Sequence, residues 1–252
     1  MVRSMVNIVR MCALSGGLCG SLSAMAGHAE SSVMNGADTK LFGVTITSEY
    51  TLDKDSRITG IQLVLPVSAI DKALGQPMSG LKIDLPVVLK EDSLIQHITI
   101  DWNPEGHDPA HVYDRPHFDF HFYFIGKDEV HAIDCSDRTP IPASLVPDDY
   151  VLPPLDAPTA CVPAMGIHAV PLKDVSPGFT FTETPIYGYY QGRFIFFEPM
   201  ITRDHLLSRQ PVVQTIQYPE AFLVNVKNHF IPKTFRLSFD SRSQTYLITL
   251  GN

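Results

Sequence analysis

The chain has 252 residues, 44% hydrophobic and 18% charged, so it can bury a sizeable core rather than remain disordered. Its 20 prolines argue for many turns and against long helices. A formal net charge of −8 excludes an electrostatic footprint for nucleic acid and disfavours anionic membrane surfaces, which leaves a small molecule, a cation or another protein as partner.

Residues 1–26 read as a signal peptide. Arg3 and Arg10 give a positive start, a weakly apolar stretch follows from Met11 to Ala24, and Ala24-Met25-Ala26 is a small-x-small cleavage site. The apolar run is shorter than the ~20 residues a membrane span needs, so no stable membrane insertion is expected. Removal of the segment takes the charge from −8 to −10, takes Cys12 and Cys19 with it, and predicts a periplasmic or secreted protein. Cys135 and Cys161 then remain as an even pair in an oxidising compartment, which predicts a disulfide. Closing a loop of about 25 residues is worth roughly 3–4 kcal/mol in the chain-entropy treatment.

Residues 27–40 are small and polar and read as a flexible lead-in. Residues 41–252 read as a single β-rich domain, with a subdivision near residue 100 left open. Residues 41–52 and 58–65 alternate apolar and polar side chains around a turn at 53–56, which predicts a hairpin. Residues 67–74 suit a short helix, stopped by Gly75 and Pro77. Strands are expected over 81–88, 95–102 and 117–125, with a loop over 103–116. Residues 135–165 hold seven prolines and both cysteines, and read as a long irregular excursion pinned by the disulfide.

Strands follow over 179–184, 186–190 and 193–198, with Gln191-Gly192 as a tight hairpin turn. Residues 202–209 suit a short helix with Thr202 as N-cap. A strand over 212–216, a helical turn within 219–228 and a hairpin from 234–239 and 245–250 complete the chain. The predicted fold is mainly β: antiparallel sheets arranged as a barrel or a sandwich, with two or three short helices.

The most informative segment is Pro116-His117-Phe118-Asp119-Phe120-His121-Phe122-Tyr123. A strand puts successive side chains on opposite faces, so His117, Asp119 and His121 share one face and the phenylalanines the other. Residues i and i+4 lie about 13 Å apart along a strand. With metal–nitrogen bonds of about 2.0–2.1 Å, His117 and His121 cannot ligate one ion without a bend or bulge. The comfortable pairs are His117 with Asp119, and Asp119 with His121; Asp119 could also orient a histidine through its other nitrogen. Further ligands must come from elsewhere, and His107 and His111 in the loop just upstream, His168 and Glu198 are the candidates.

Such a set suits a divalent metal ion, Zn²⁺ or Fe²⁺ foremost. The alternative is a buried polar network that ties loops to a sheet. His117, Asp119 and His168 follow the order of the non-haem iron facial triad, but no arginine follows at the distance where such oxygenases bind an oxoacid. The spacing His-x-Asp-x-His also departs from the cupin pattern. His97, His131, His205 and His229 are scattered and read as structural.

Several segments are similar to a family of exported bacterial proteins of unknown function, one of which is controlled by a sigma-E/anti-sigma-E pair in a thermophile. The segments are Asp101-Trp-Asn-Pro-Glu-Gly-His-Asp-Pro109, Tyr113-Asp-Arg-Pro-His-Phe-Asp-Phe-His-Phe-Tyr123, Met165-Gly-Ile-His168, Ile186-Tyr-Gly188 and Glu198-Pro-Met-Ile-Thr202. The resemblance implies an exported β-rich fold and treats His107, His117, His121, His168 and Glu198 as one set; it implies no activity. Two functions follow as expectations. One is an exported metal-binding protein that could act as a metal-dependent enzyme. The other is a non-catalytic ligand-binding or envelope-stress protein with a structural histidine cluster. A homo-oligomer built through the aromatic strands is a third expectation.

Overall fold

A computed structural model describes residues 31–224, 226 and 229–252. The signal peptide expected at 1–26 lies outside these residues.

Fourteen strands form two antiparallel sheets among the described residues. The first sheet contains β1 (Ser32–Leu41), β2 (Val44–Leu52), β3 (Ile58–Pro66), β12 (Val212–Thr215), β13 (Thr234–Asp240) and β14 (Thr245–Gly251), in the order β1-β2-β3-β14-β13-β12. The second contains β4 (Ser79–Asp84), β5 (His97–Asn103), β6 (His117–Tyr123), β7 (Tyr150–Val151), β8 (Cys161–Val162), β9 (Gly166–Pro171), β10 (Glu183–Tyr190) and β11 (Arg193–Thr202). Its order is β4-β5-β6-β11-β10-β9-β7, with β8 also on β9. Neither sheet closes on itself, so the fold is two open sheets rather than a barrel.

The two sheets share one core. Phe235 on β13 of the first sheet meets Phe122 on β6 and Phe197 on β11 of the second, with ring centroids 6.4 and 6.2 Å apart. The alternation predicted for the histidine strand is therefore real: its phenylalanines cement the sheets together. The first sheet keeps a wet outer face, as the alternating burial of β2 shows. The second sheet is different. All seven residues of β6 are buried, and nine of the ten in β11. On its outer face Tyr113 and Phe181, from the loops on either side, form a second buried cluster with Val170, Ile186 and Met200.

Three expectations are corrected. Residues 32–41 are not a lead-in but β1, paired with β2 on both sides of a bulge at residues 36–37. It is an edge strand with mostly exposed side chains, held by its backbone ladder, so no hydrophobic pattern announced it. Among the described residues the α-helices number five rather than two or three, beside one short 3-10 turn at Ala143–Leu145: α1 (Val67–Ala73), α2 (Val87–Asp92), α3 (Lys127–His131), α4 (Arg203–Ser208) and α5 (Glu220–Leu223). In the case of α2, Pro86 ends the strand early and caps a helix where alternation through 88 suggested more strand. The strand expected at 179–184 starts only at Glu183 and runs without a break to Tyr190.

Other expectations hold. Thr202 caps α4 by accepting a hydrogen bond from the His205 N–H at 3.2 Å. Gln191 and Gly192 turn β10 into β11 at φ of 51° and 67°, the left-handed pair that a two-residue hairpin needs. Cys135 and Cys161 form the disulfide, with Cα atoms 5.7 Å apart.

Candidate metal centre

The outer face of the second sheet carries a stripe of polar groups in its middle. Cross-strand register builds it. On β5 and β6, Asn103 lies opposite His117, Asp101 opposite Asp119 and Thr99 opposite His121. On β11, Met200 lies opposite Asp119 and Phe197 opposite Phe122, which brings Glu198 against His121. On β9, His168 lies opposite Gly188 of β10. His107 arrives from the loop over 104–116. That loop folds back at Gly106, φ 78°, where an added Cβ would run into the backbone of Tyr113, so only glycine fits.

Burial of such groups is costly unless they are compensated, and more so for charged ones. His117, Asp119, His121 and Glu198 are 0–3% exposed. They resolve into two triads, His107–His117–Asp119 and His121–His168–Glu198, each with one ligand atom per residue mutually within 4.8 Å.

In the first triad, His117 Nδ1 lies 2.7 Å from the Arg115 carbonyl and His107 Nδ1 lies 2.7 Å from the Asp108 carbonyl. A carbonyl can only accept, so both Nδ1 atoms carry hydrogen and each Nε2 is turned inward. His117 Nε2 is 3.0 Å from Asp119 Oδ1, and His107 Nε2 is 3.4 Å from Asp119 Oδ2. Asn103 Nδ2 donates to Asp119 Oδ2 at 2.6 Å and fixes the carboxylate. In the second triad, His121 Nε2 and His168 Nε2 lie 3.2 and 3.7 Å from Glu198 Oε2. His121 Nδ1 lies 3.0 Å from Asp101 Oδ2, so a carboxylate stands behind the ring.

These contacts are close but do not meet hydrogen-bond geometry. His117 Nε2, Asp119 Oδ1, both ring nitrogens of His121, and Glu198 Oε2 are buried atoms without a hydrogen-bond partner. Two ligands bonded to one ion at about 2.0–2.1 Å stand roughly 2.9 Å apart at a right angle and 3.4 Å apart at the tetrahedral angle. The nitrogen–oxygen contacts of 3.0–3.7 Å span and slightly exceed that range. Groups that surround a common point, rather than aim at each other, give this pattern.

The electrostatics favour a positive charge at both triads. Burial works against a charged His107 ring, but the Asp119 carboxylate outweighs it and lifts the pKa to about 9. Burial would raise Asp119, yet the His117 and His107 imidazoles hold it well below the usual carboxylate range. His121 is likewise held well above its ordinary value, against burial, by Glu198. Glu198 is raised by burial, which His121 opposes. His168 is pushed down to about 3 by burial and by the neighbouring His121 and His107. It is thus a neutral imidazole, the form a metal accepts.

A lid of aromatic side chains closes the first triad. Phe181 packs on His117 at 5.1 Å and on Tyr113 at 5.0 Å, and Tyr113 sits 5.9 Å from His107. Tyr113 donates to Asp174 Oδ2 at 2.9 Å, and Thr184 donates to the same oxygen at 2.5 Å. Arg115 ties the loop down through the Phe181 carbonyl and Asp204, both at 2.8 Å. In the second triad Phe196 fills the wall, 5.0 Å from His121 and 5.3 Å from His168.

Six of the seven candidate ligands come to this face, but not as a single set; His111 stays exposed beside Asp114 and takes no part. His168 does not join His117 and Asp119 in facial-triad order; His107 takes that place, and His168 belongs with His121 and Glu198. The separation of His117 and His121 into different triads follows from their spacing along β6. Asp101, Asn103, Tyr113 and Asp174 were missed as contributors. The first two were legible: His97-Ile-Thr-Ile-Asp-Trp-Asn103 alternates polar and apolar residues in register with the histidine strand. Tyr113 and Asp174 meet across 61 residues of chain and had no local signal. Comparison with protein-family models, with curated proteins and with solved structures found no match to this chain.

Proposed function

We propose that this is an exported, divalent-metal-binding protein, and that its open coordination suits a metal-dependent enzyme. The observation that carries the reading is the pair of buried, inward-facing atoms His117 Nε2 and Asp119 Oδ1, 3.0 Å apart without a hydrogen bond, repeated in the second triad by His121 Nε2 and Glu198 Oε2. Two imidazoles and one carboxylate suit Zn²⁺ or Fe²⁺. Three protein ligands leave a position for water or substrate, as in catalytic rather than structural zinc sites. The chemistry such an ion supplies is activation of water or dioxygen. Export is supported by the leader pattern, by the resemblance to an exported family, and by the disulfide.

The second reading is a structural network in which protonated histidines neutralise the carboxylates. The pKa of His107 near 9 favours it, because a proton can then take the place of the ion. Metal analysis of untagged protein separates the two. About one equivalent or more of a transition metal supports the centre; less than about 0.2 equivalents, unchanged after addition of Zn²⁺ or Fe²⁺, overturns it. His121→Ala and His168→Ala should each lower the metal content, and His229→Ala should leave it unchanged.

A further inference from the structure

We propose that the two triads are one paired centre, holding two divalent ions side by side with a small oxyanion between them. This rests on the metal reading above. Its first support is strand geometry. Asp119 and His121 are two residues apart on one face of β6, about 6.6–6.8 Å at Cα, and each anchors a different triad. Neighbouring β11 places Glu198 against His121, next to the position opposite Asp119. No single ion can serve both, since His117 and His121 are about 13 Å apart along the strand. Two focal points one strand repeat apart are what the register dictates.

The second support is that each triad is separately incomplete. Each contains a buried imidazole nitrogen and a buried carboxylate oxygen with no hydrogen-bond partner, so one ion would satisfy one triad and leave the other unsatisfied. Each also has its own orienting group behind a ligand: Asn103 holds Asp119, and Asp101 stands behind His121.

The third support is charge. Two dications bring four positive charges. Asp119, Glu198 and Asp101 bring three negative ones. The surplus positive charge lies in a region closed to water on most sides, where an unpaired charge is costly. A small anion with oxygen donors removes the surplus and fills the open coordination positions. Entry is available, because each triad has one half-buried ligand: the side chains of His107 and His168 are 30% and 19% exposed, whereas those of their partners are nearly fully buried. Phosphate and carboxylate share the required chemistry, because each offers two separate oxygens that can reach ions a strand repeat apart, as one hydroxide oxygen cannot; a hydrolysable ester would present the same pair during reaction.

The test is titration of the metal-stripped full-length mature protein with Mn²⁺, followed by spin resonance, without and with inorganic phosphate. Two equivalents with a magnetically coupled signal, altered by phosphate, is the expected result. His107→Gln and His168→Gln should each bind one equivalent with an uncoupled signal that phosphate leaves unchanged. One equivalent in the wild-type protein, or two with no coupling, overturns the pairing while leaving the metal reading intact. A coupled pair indifferent to phosphate, carboxylate and pH overturns the bridging anion. No bound Mn²⁺, Zn²⁺ or Fe²⁺ at all overturns the reading beneath both. The wild-type stoichiometry and coupling decide the matter even where a variant folds poorly.

Discussion

Asp119→Asn is the sharpest single perturbation of the site. The substitution keeps the size of the side chain and an oxygen to accept the 2.6 Å hydrogen bond from Asn103. It removes the charge that faces His117 at 3.0 Å and His107 at 3.4 Å. An ion present at about 100 times its dissociation constant stabilises the folded chain by about 2.7 kcal/mol for each site it fills. In a domain of this size about 1 kcal/mol moves the melting temperature by roughly 2–4 °C. Each occupied triad should therefore raise the melting temperature by about 5–11 °C over protein in a chelator. Differential scanning fluorimetry with Zn²⁺ and with a chelator reads this directly. The wild type should show the full increment, and Asp119→Asn should lose the part that belongs to the first triad. If the variant retains the whole wild-type increment, Asp119 is not a ligand and the geometric reading of its contacts is wrong.

Four further outcomes are expected. Asn103→Ala should weaken metal binding roughly 10- to 100-fold, as loss of an orienting partner does, and an unchanged affinity in a competition titration with a chromophoric chelator would contradict that role. Gly188→Ala should cost about 1–3 kcal/mol in urea unfolding and disturb the second triad, because the new methyl group meets the Phe196 ring that walls His121 and His168. Unaltered stability would show that the ring moves freely. Replacement of Cys135 and Cys161 together by serine should lower stability by about 3–4 kcal/mol, and a loss below about 1 kcal/mol would mean that the excursion is held by its packing instead.

The fourth outcome concerns His97, whose ring stacks on Tyr123 at 4.5 Å. Burial and the charge of Lys127 push its pKa down to about 4, against the help of the Ile125 carbonyl. The unfolded chain binds that proton near pH 6.5 and the folded chain does not, so its contribution to stability is complete above about pH 6.5 and is lost as the pH falls toward 4. The loss should reach on the order of 2–3 kcal/mol. His97→Gln should flatten this part of a pH–stability profile, and parallel profiles for the two proteins would exclude the effect.

Strand pattern made much of this fold readable. The alternation at 117–123 assigned both faces of β6 correctly, and the Gln191-Gly192 and Thr202 signals placed a turn and a helix start. Where burial was absent, the pattern was silent. The side chains of β1 are mostly exposed, and its order comes from backbone pairing with β2, which leaves no mark on side-chain hydrophobicity. The ligand set was readable as a set, because histidine and carboxylate residues on a buried strand face need compensation. Its division was not, because His107 and His168 approach from segments on opposite sides of β6 in the sequence. Only cross-strand register and the fold of the 104–116 loop decide which histidine meets which carboxylate.

The parity of β6 separates what stabilises the protein from what the protein does. Phe118, Phe120 and Phe122 belong to the core shared by the two sheets. His117, Asp119 and His121 belong to the opposite face and contribute little apolar burial of their own. A one-residue slip of register would exchange the two sets and place two imidazoles and a carboxylate between the sheets. The hydrophobic demand of the core therefore fixes the positions of the ligands to within a strand repeat, and β5 and β11, paired on either side, hold Asn103, Asp101 and Glu198 in the same frame. A rigid sheet is a more exact support for such a centre than a cluster of loops. Only His107 rides on a loop, and that loop is anchored by Arg115, by the Tyr113–Asp174 bond and by Phe181. Loosening the anchor, as Tyr113→Phe would, should lower occupancy of the first triad and leave the second nearly unchanged, while the metal-free protein loses only about 1 kcal/mol of stability with the buried hydrogen bond. That split, read by metal titration beside urea unfolding, distinguishes a positioning role for Tyr113 from a merely structural one.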